Sequence, residues 1–256
     1  MLRVRVIPTL LLRNGGLVKG KNFLNHRYVG DPINAVKIFN EKEVDELVFL
    51  DISATARGTV DYSLINDISS EAFMPFAYGG GITELSQIEK LFNLGVEKVI
   101  LNTSAFRNPQ LVKDASRIAG SQSIVVSIDV KKSLLGGYEV YVANGTKSTK
   151  INPVDYAKKA EDLGAGELVI CSIDREGTGK GYDLKLLESV ANSVNIPVVG
   201  LGGAGKLEHF KEAVEIGQVS AVAAGDFFIF HGKLKAVLIT YPEYRTLTHL
   251  FEKDHV

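Results

Sequence analysis

The feature that most constrains this chain is an alternation. Short β-branched apolar runs take turns with longer amphipathic stretches. The runs are Val4 to Leu12, Glu46 to Asp51, Met74 to Tyr78, Lys98 to Leu101, Ser123 to Asp129, Glu167 to Ser172, Ile196 to Gly200 and Ser220 to Ala224. Between them lie Pro32 to Val44, Tyr62 to Glu71, Leu85 to Leu94, Pro109 to Ala119, Pro153 to Leu163, Leu184 to Val194 and Leu207 to Ile216. Strands alternating with helices of this length imply a parallel sheet. The runs are apolar almost throughout, as strands covered on both faces must be. Eight units in a chain of 256 residues favour an α/β protein of the closed (β/α)8 TIM-barrel type over an open doubly wound sheet.

The chain also nearly repeats itself. ELVFLDISATARGT (Glu46 to Thr59) resembles ELVICSIDREGTG (Glu167 to Gly179), and MPFAYGGGI (Met74 to Ile82) resembles IPVVGLGGAG (Ile196 to Gly205). The spacing is far longer than a solenoid period, so it reads as a twofold repeat of half-barrels, each with four βα units. No linker or low-complexity segment separates the halves, and residues 1–256 are expected to form a single domain.

Composition narrows the partners. The net charge is −1 with both signs interspersed, which leaves no electrostatic case for nucleic acid or an anionic membrane. One cysteine, Cys171, excludes an intrachain disulfide framework. The five histidines, His26, His209, His231, His249 and His255, show no metal-ligand spacing, and no metal or cofactor is expected. Arg3, Arg5 and Arg13 interrupt the apolar N-terminus, which therefore lacks a signal-peptide pattern. No stretch reaches the ~20 apolar residues of a membrane span. A soluble, cytoplasmic protein is expected.

Chemistry belongs at the C-terminal ends of the strands, which face the mouth of such a barrel. Gly79, Gly80 and Gly81 follow the third run; Gly202 and Gly203 follow the seventh. Glycine lets a backbone approach an anion closely. LNTSAF (Leu101 to Phe106) and AAGDFF (Ala223 to Phe228) end the next runs and could complete each cradle. Two facing anion sites suit an elongated substrate phosphorylated at both ends. The competing reading keeps the glycines as turn residues only.

Asp51, Asp129 and Asp174 lie at or just beyond strand ends. Asp129, in the otherwise uncharged VVSID, is the candidate general acid/base; alternatively it caps a turn. Lys19 sits in the glycine-bounded GGLVKGKNFLNHRYVG, a candidate lid loop from which it could reach an anion; alternatively it is solvated. Cys171 reads as a core thiol near the mouth. At the opposite, N-terminal ends stand Arg5, Glu46, Lys98 and Glu167. Such charges are expensive under an apolar barrel unless paired. They read as a structural salt-bridge ring, with a plug that can open as the other reading.

GLVKG, GDPINAVKIFNEKEVDELVFLDI, GGGI, VEKVILNTSA, IVVSID, GAGELVICSIDREGTGKGYDL, NIPVV and GGAGKLEHF together cover most of the chain. In these segments the chain resembles the HisF family, the cyclase subunit of imidazole glycerol phosphate synthase. The resemblance implies a twofold (β/α)8 barrel that takes ammonia from a HisH-like glutaminase subunit docked at the barrel bottom. Ammonia crosses the interior and reacts at the top with a bisphosphorylated ribulosyl substrate. The products are imidazole glycerol phosphate and an aminoimidazole carboxamide ribotide.

Position by position, the resemblance implies one phosphate cradle at Gly80, Gly81, Asn102 and Thr103, and another at Gly202, Gly203 and Ala224. It implies a catalytic aspartate at Asp129, active-site roles for Lys19 and Asp51, and an ammonia gate at Arg5, Glu46, Lys98 and Glu167. The ring of charges thereby becomes functional.

One match fails. The family's first strand reads Ile-Pro-Cys-Leu-Asp-Val-Arg-Asp-Gly, where this chain has Ile7, Pro8, Thr9, Leu10, Leu11, Leu12, Arg13, Asn14 and Gly15. Leu11 replaces the second catalytic aspartate, and hydrocarbon cannot exchange a proton. A gate retained beside a broken acid pair points to a divergent paralogue. HisF-like proteins of that kind accompany a glutaminase homologue and a separate sugar amidotransferase in surface-polysaccharide pathways, and would relay ammonia for sugar amidation. The other expectation is a working cyclase of histidine biosynthesis, using Asp129 and a substitute acid.

Overall fold

Eight parallel strands hydrogen-bond in sequence order, and the last pairs with the first. They are β1 (Arg5–Arg13), β2 (Leu47–Asp51), β3 (Phe76–Gly79), β4 (Lys98–Leu101), β5 (Ile124–Lys132), β6 (Glu167–Ser172), β7 (Val198–Leu201) and β8 (Ala221–Ala224). Closure is set by β8 on β1, with Arg5 opposite Ala221 and Pro8 opposite Ala224. The remaining pairings are parallel throughout. This computed structural model describes residues 4–133, 136–232 and 234–252. Arg3 and His255, which entered the reading of the N-terminus and of the histidines, lie outside the described residues.

A helix of eight residues or more follows each strand: α1 (Pro32–Glu41), α2 (Tyr62–Glu71), α3 (Leu85–Asn93), α4 (Pro109–Ala119), α5 (Pro153–Asp162), α6 (Leu184–Ala191), α7 (Leu207–Glu215) and α8 (Tyr244–Phe251). The starts of several are written locally. Asp31 and Asp61 accept the backbone N–H groups of Asn34 and Leu64, and Asn152 accepts that of Val154. Pro32 and Pro153 occupy first-turn positions, where a missing N–H costs nothing.

Alternation along each strand makes two apolar layers. Ile7, Val48, Ile100, Val125, Val169 and Val199 point into the barrel. Leu10, Phe49, Tyr78, Val126, Ile170 and Val222 point out against the helices. The half-barrel repeat is visible as a repeated contact. A Cβ on Gly80 would strike the carbonyl oxygen of Asp51 at 2.4 Å, and one on Gly202 would strike that of Ser172 at 2.9 Å. Both glycines have positive φ, so side chains are excluded twice over.

Three segments depart from the sequence expectation. GGLVKGKNFLNHRYVG is a β-hairpin rather than a loop, with Gly16–Lys21 paired to Leu24–Gly30 and to the end of β1. The apolar Leu17 and Val18 are buried there, which a free loop could not achieve. β5 runs past Asp129 to Lys132, because Tyr138–Val142 pairs antiparallel with it. Helix α8 went unrecognised; its YRTLTHLF is short and buries only Leu247 among its side chains.

Closure between α7 and β8 rests on an aromatic cluster. The ring of Phe210, fully buried, lies 4.9 Å from that of Phe227 and 6.1 Å from that of Phe228. Phe210→Ala is expected to lower the unfolding free energy by about 3–5 kcal/mol in urea titration. A loss under about 1 kcal/mol would contradict this packing.

Candidate functional site

The floor of the barrel is a closed circuit of four charges. Arg5 is hydrogen-bonded to Glu46 through Nη1 and to Glu167 through Nη2, the latter at 2.6 Å. Lys98 Nζ lies 3.0 Å from both Glu46 oxygens and 2.8 Å from Glu167 Oε2. The two glutamates are buried, and the two cations keep partial contact with solvent. Burial opposes the Arg5 charge, but Glu167 and Glu46 outweigh it and hold the guanidinium above its ordinary value. The four residues expected to form a ring are thus brought together.

Above the floor lies a small apolar cavity of about 20 Å³, lined by Glu46 and Glu167 below and by Ile7, Val48, Val125 and Val169 around it. Above that, the mouth opens into a cavity of about 610 Å³. Leu11 lines the mouth, as do Asp129, Lys19, Asp51, Gly80, Gly81, Asn102 and Thr103.

Asp129 points inward from β5 and is buried. Desolvation pushes its carboxyl up to about 7; a hydrogen bond from Asn102 Nδ2 at 3.2 Å pulls the other way, and the charge of Glu176 adds to the rise. A carboxyl poised there can both give and take a proton near neutral pH. Asn102 also donates to the Ser127 carbonyl at 3.0 Å, and Thr103 Oγ1 donates to Asn102 Oδ1 at 3.1 Å while accepting from Ala143 N. Asn102, Thr103 and Asp129 therefore share one hydrogen-bond network.

Lys19 is neither solvated nor in a loose loop. It is buried in the hairpin with its Nζ 3.6 Å from Glu176 Oε1. Glu176 is the buried mouth residue that sequence reasoning missed. It lies in the loop after β6, beyond the strand end where carboxylates were sought, and DREGTG gives no cue that its side chain turns inward. Burial raises its carboxyl, and Lys19 opposes the rise. The hairpin is fastened beside it, with Asn22 donating its backbone N–H to the Glu176 carbonyl and its side-chain amide to the Ile173 carbonyl.

The two cradles differ. Gly202, Gly203 and Ala224 are off the lining of the mouth cavity. Lys19 and Glu176 stand against them: a Cβ on Gly225 would overlap Lys19 Nζ, and one on Gly202 would come 3.5 Å from Glu176 Oε2. Asp51 is fully engaged. Its Oδ1 accepts from Ser53 N, Ser53 Oγ and Ala54 N, and its Oδ2 accepts from Arg57 Nη2 at 2.7 Å. It thereby anchors Arg57 at the mouth. Asp174, expected to face the mouth, instead accepts the Lys132 N–H at 2.9 Å and is off the cavity lining. Extension of β5 into its hairpin supplies that donor.

Cys171 is a buried thiol lining the mouth, and burial together with Asp129 and Glu176 pushes its pKa well up, away from thiolate character. Among the described residues no group of three or more His, Cys, Asp or Glu side chains is placed to hold a metal ion, and no helix is long and apolar enough to cross a membrane.

A closed eightfold barrel with charged floor and polar mouth defines the class. Residues 5–235 match the family described as "Histidine biosynthesis protein". A Pseudomonas aeruginosa protein, provisionally named imidazole glycerol phosphate synthase subunit hisF2, is 49% identical over 248 residues, covering 96% of this chain and 99% of its own. A Leptospira interrogans protein, provisionally named imidazole glycerol phosphate synthase subunit HisF, is 47% identical over 253 residues, covering 98% and 100%. The imidazole glycerol phosphate synthase subunit HisF of Hydrogenobaculum sp. is 43% identical over 232 residues, covering 90% and 92%. The chain belongs to the HisF family of (β/α)8 barrels.

Burial of Asp129 makes a prediction about pH. In the unfolded chain its carboxyl titrates near 4; in the fold it holds its proton up to about 7. Between those values the folded state binds the extra proton, so stability falls as pH rises through that window. Asp129→Asn is expected to flatten that fall and to be about 1–3 kcal/mol more stable than the parent at pH 8, by urea titration. An unchanged slope would show that the carboxyl ionises freely.

Proposed function

We propose that the chain is the ammonia-receiving synthase subunit of a glutamine-dependent system, relaying ammonia for amidation of a surface-polysaccharide sugar with little ring-closing activity of its own. A HisH-like glutaminase docks at the floor and releases ammonia beneath the Arg5–Glu46–Lys98–Glu167 circuit. Opening that circuit admits neutral ammonia to the apolar interior, where the charged ammonium form is disfavoured by desolvation. A separate sugar amidotransferase takes it up at the mouth. A phosphorylated ligand is held at Gly80, Gly81, Asn102 and Thr103.

The observation that carries this reading is Leu11, a hydrocarbon side chain lining the mouth above an intact ionic floor. Loss of one positioned proton-transfer group reduces a rate by about 100- to 10,000-fold. One observation favours a second reading, an imidazole glycerol phosphate cyclase of histidine biosynthesis. Glu176 brings another buried carboxylate to the mouth, and its charge acts on Asp129. On that reading Glu176 substitutes for the missing acid.

Purified protein given ammonium chloride and the bisphosphorylated ribulosyl substrate is expected to form imidazole glycerol phosphate at least about 100-fold more slowly than an ordinary cyclase, and Leu11→Asp is expected to raise that rate. Ordinary turnover by the parent, abolished by Glu176→Gln, would establish the cyclase instead. In the complex, Lys98→Ala or Glu167→Ala is expected to lower the product formed per glutamine hydrolysed. Unchanged coupling would return the floor to a structural role.

A further inference from the structure

The interior path has a neck. Thr9, Leu50, Ile100, Ser127 and Leu201 line both the small cavity above the floor and the large cavity of the mouth. Leu50, Ile100 and Leu201 are apolar. Thr9 and Ser127 bring hydroxyls from β1 and β5, which stand four strands apart in a ring of eight and so face each other across the barrel. Thr9 is 2% exposed, and its Oγ1 is buried with no hydrogen-bond partner. An unpaired buried hydroxyl is costly, by about 1–3 kcal/mol. It persists where a small polar ligand completes it. The adjoining cavity, about 20 Å³, holds one molecule of water size, which needs roughly 10–15 Å³.

We infer that Thr9 and Ser127 form a binding site for a single molecule of neutral ammonia at this neck. The inference rests on the ammonia-transit reading and deepens it. Ammonia carries one lone pair and three donors. The Thr9 hydroxyl donates to the nitrogen lone pair, and the Ser127 hydroxyl accepts an N–H from the opposite wall. Ammonium has no lone pair to accept the Thr9 proton, and its charge is penalised by the apolar collar. The site therefore selects the uncharged species after the ionic floor and before the mouth. The two carboxylates that line the small cavity, Glu46 and Glu167, are each held by both Arg5 and Lys98.

The test uses the intact purified chain with threonine methyl groups labelled for NMR, the Thr9 signal being assigned by its loss in Thr9→Val. Ammonium chloride in alkaline buffer, where ammonia is present, is expected to shift the Thr9 methyl signal saturably. The same salt in mildly acidic buffer, and potassium chloride in either, are expected to leave it in place. Ser127→Ala is expected to weaken the response by about fivefold, the value of one hydrogen bond, without altering the fold. No shift in alkaline ammonium chloride, or an equal shift in acid, would overturn the site. The readout needs no glutaminase and no acceptor. Saturable binding at Thr9 in a protein whose floor variants leave glutamine coupling unchanged would refute transit while leaving the site standing. Uncoupling by the floor variants with no response at Thr9 would refute the site alone.

Discussion

The rest of the structure depends on the pairing of Arg5 and Lys98 with Glu46 and Glu167. Two buried carboxylates beneath an apolar barrel would be untenable singly, because desolvation of each costs several kcal/mol. Each glutamate here receives both cations, so every carboxylate oxygen has a charged donor. Above this arrangement the barrel can narrow to mostly apolar side chains because no charge is left unmet at its base. On the proposed function this circuit, closed on itself here, is the plug that a partner opens by supplying other contacts.

The mouth follows another logic. At Asp129 burial dominates the ionisation; the Asn102 hydrogen bond moderates the rise and the Glu176 charge adds to it. Asp51 is the opposite case, a carboxylate saturated by three local donors and Arg57. Their environments differ accordingly: the Asp129 carboxyl is raised toward neutrality, whereas Asp51, at the end of β2, holds the Arg57 guanidinium. Lys19 and Glu176 pair beside Gly202, and of the two glycine turns it is Gly80 and Gly81 that line the cavity. The mouth of a twofold barrel is therefore not twofold.

Much of this was legible in the chain. Apolar runs covered on both faces have to be parallel strands, and DELVFLD and GELVICS repeat because β2 and β6 fill equivalent places. Glycines at 80 and 202 are demanded by the same backbone contact in each half. The charged ring was legible as well, since Arg5, Lys98 and Glu167 each begin a strand, Glu46 immediately precedes one, and one turn of a barrel brings strand ends together. What stayed hidden depends on loops. Glu176 sits in a loop after β6 that is tied to the hairpin through Asn22, and its carboxylate meets Lys19 of that hairpin. Asp174 turns away because β5 continues beyond its apolar stretch. No local pattern records either event. Leu11 was readable as an exception, whereas the Glu176 carboxylate that shares the mouth with it was not.

On the proposed function, ammonia travels inside the barrel, from ionic floor to mouth, without entering bulk water. Isotope competition tests it most directly. The complex is given glutamine labelled with ¹⁵N at the amide, together with an excess of unlabelled ammonium, and the nitrogen of the amidated product is analysed by mass spectrometry. The account predicts product that keeps the glutamine label undiluted. Product whose label is diluted to the level of the surrounding ammonium would contradict it.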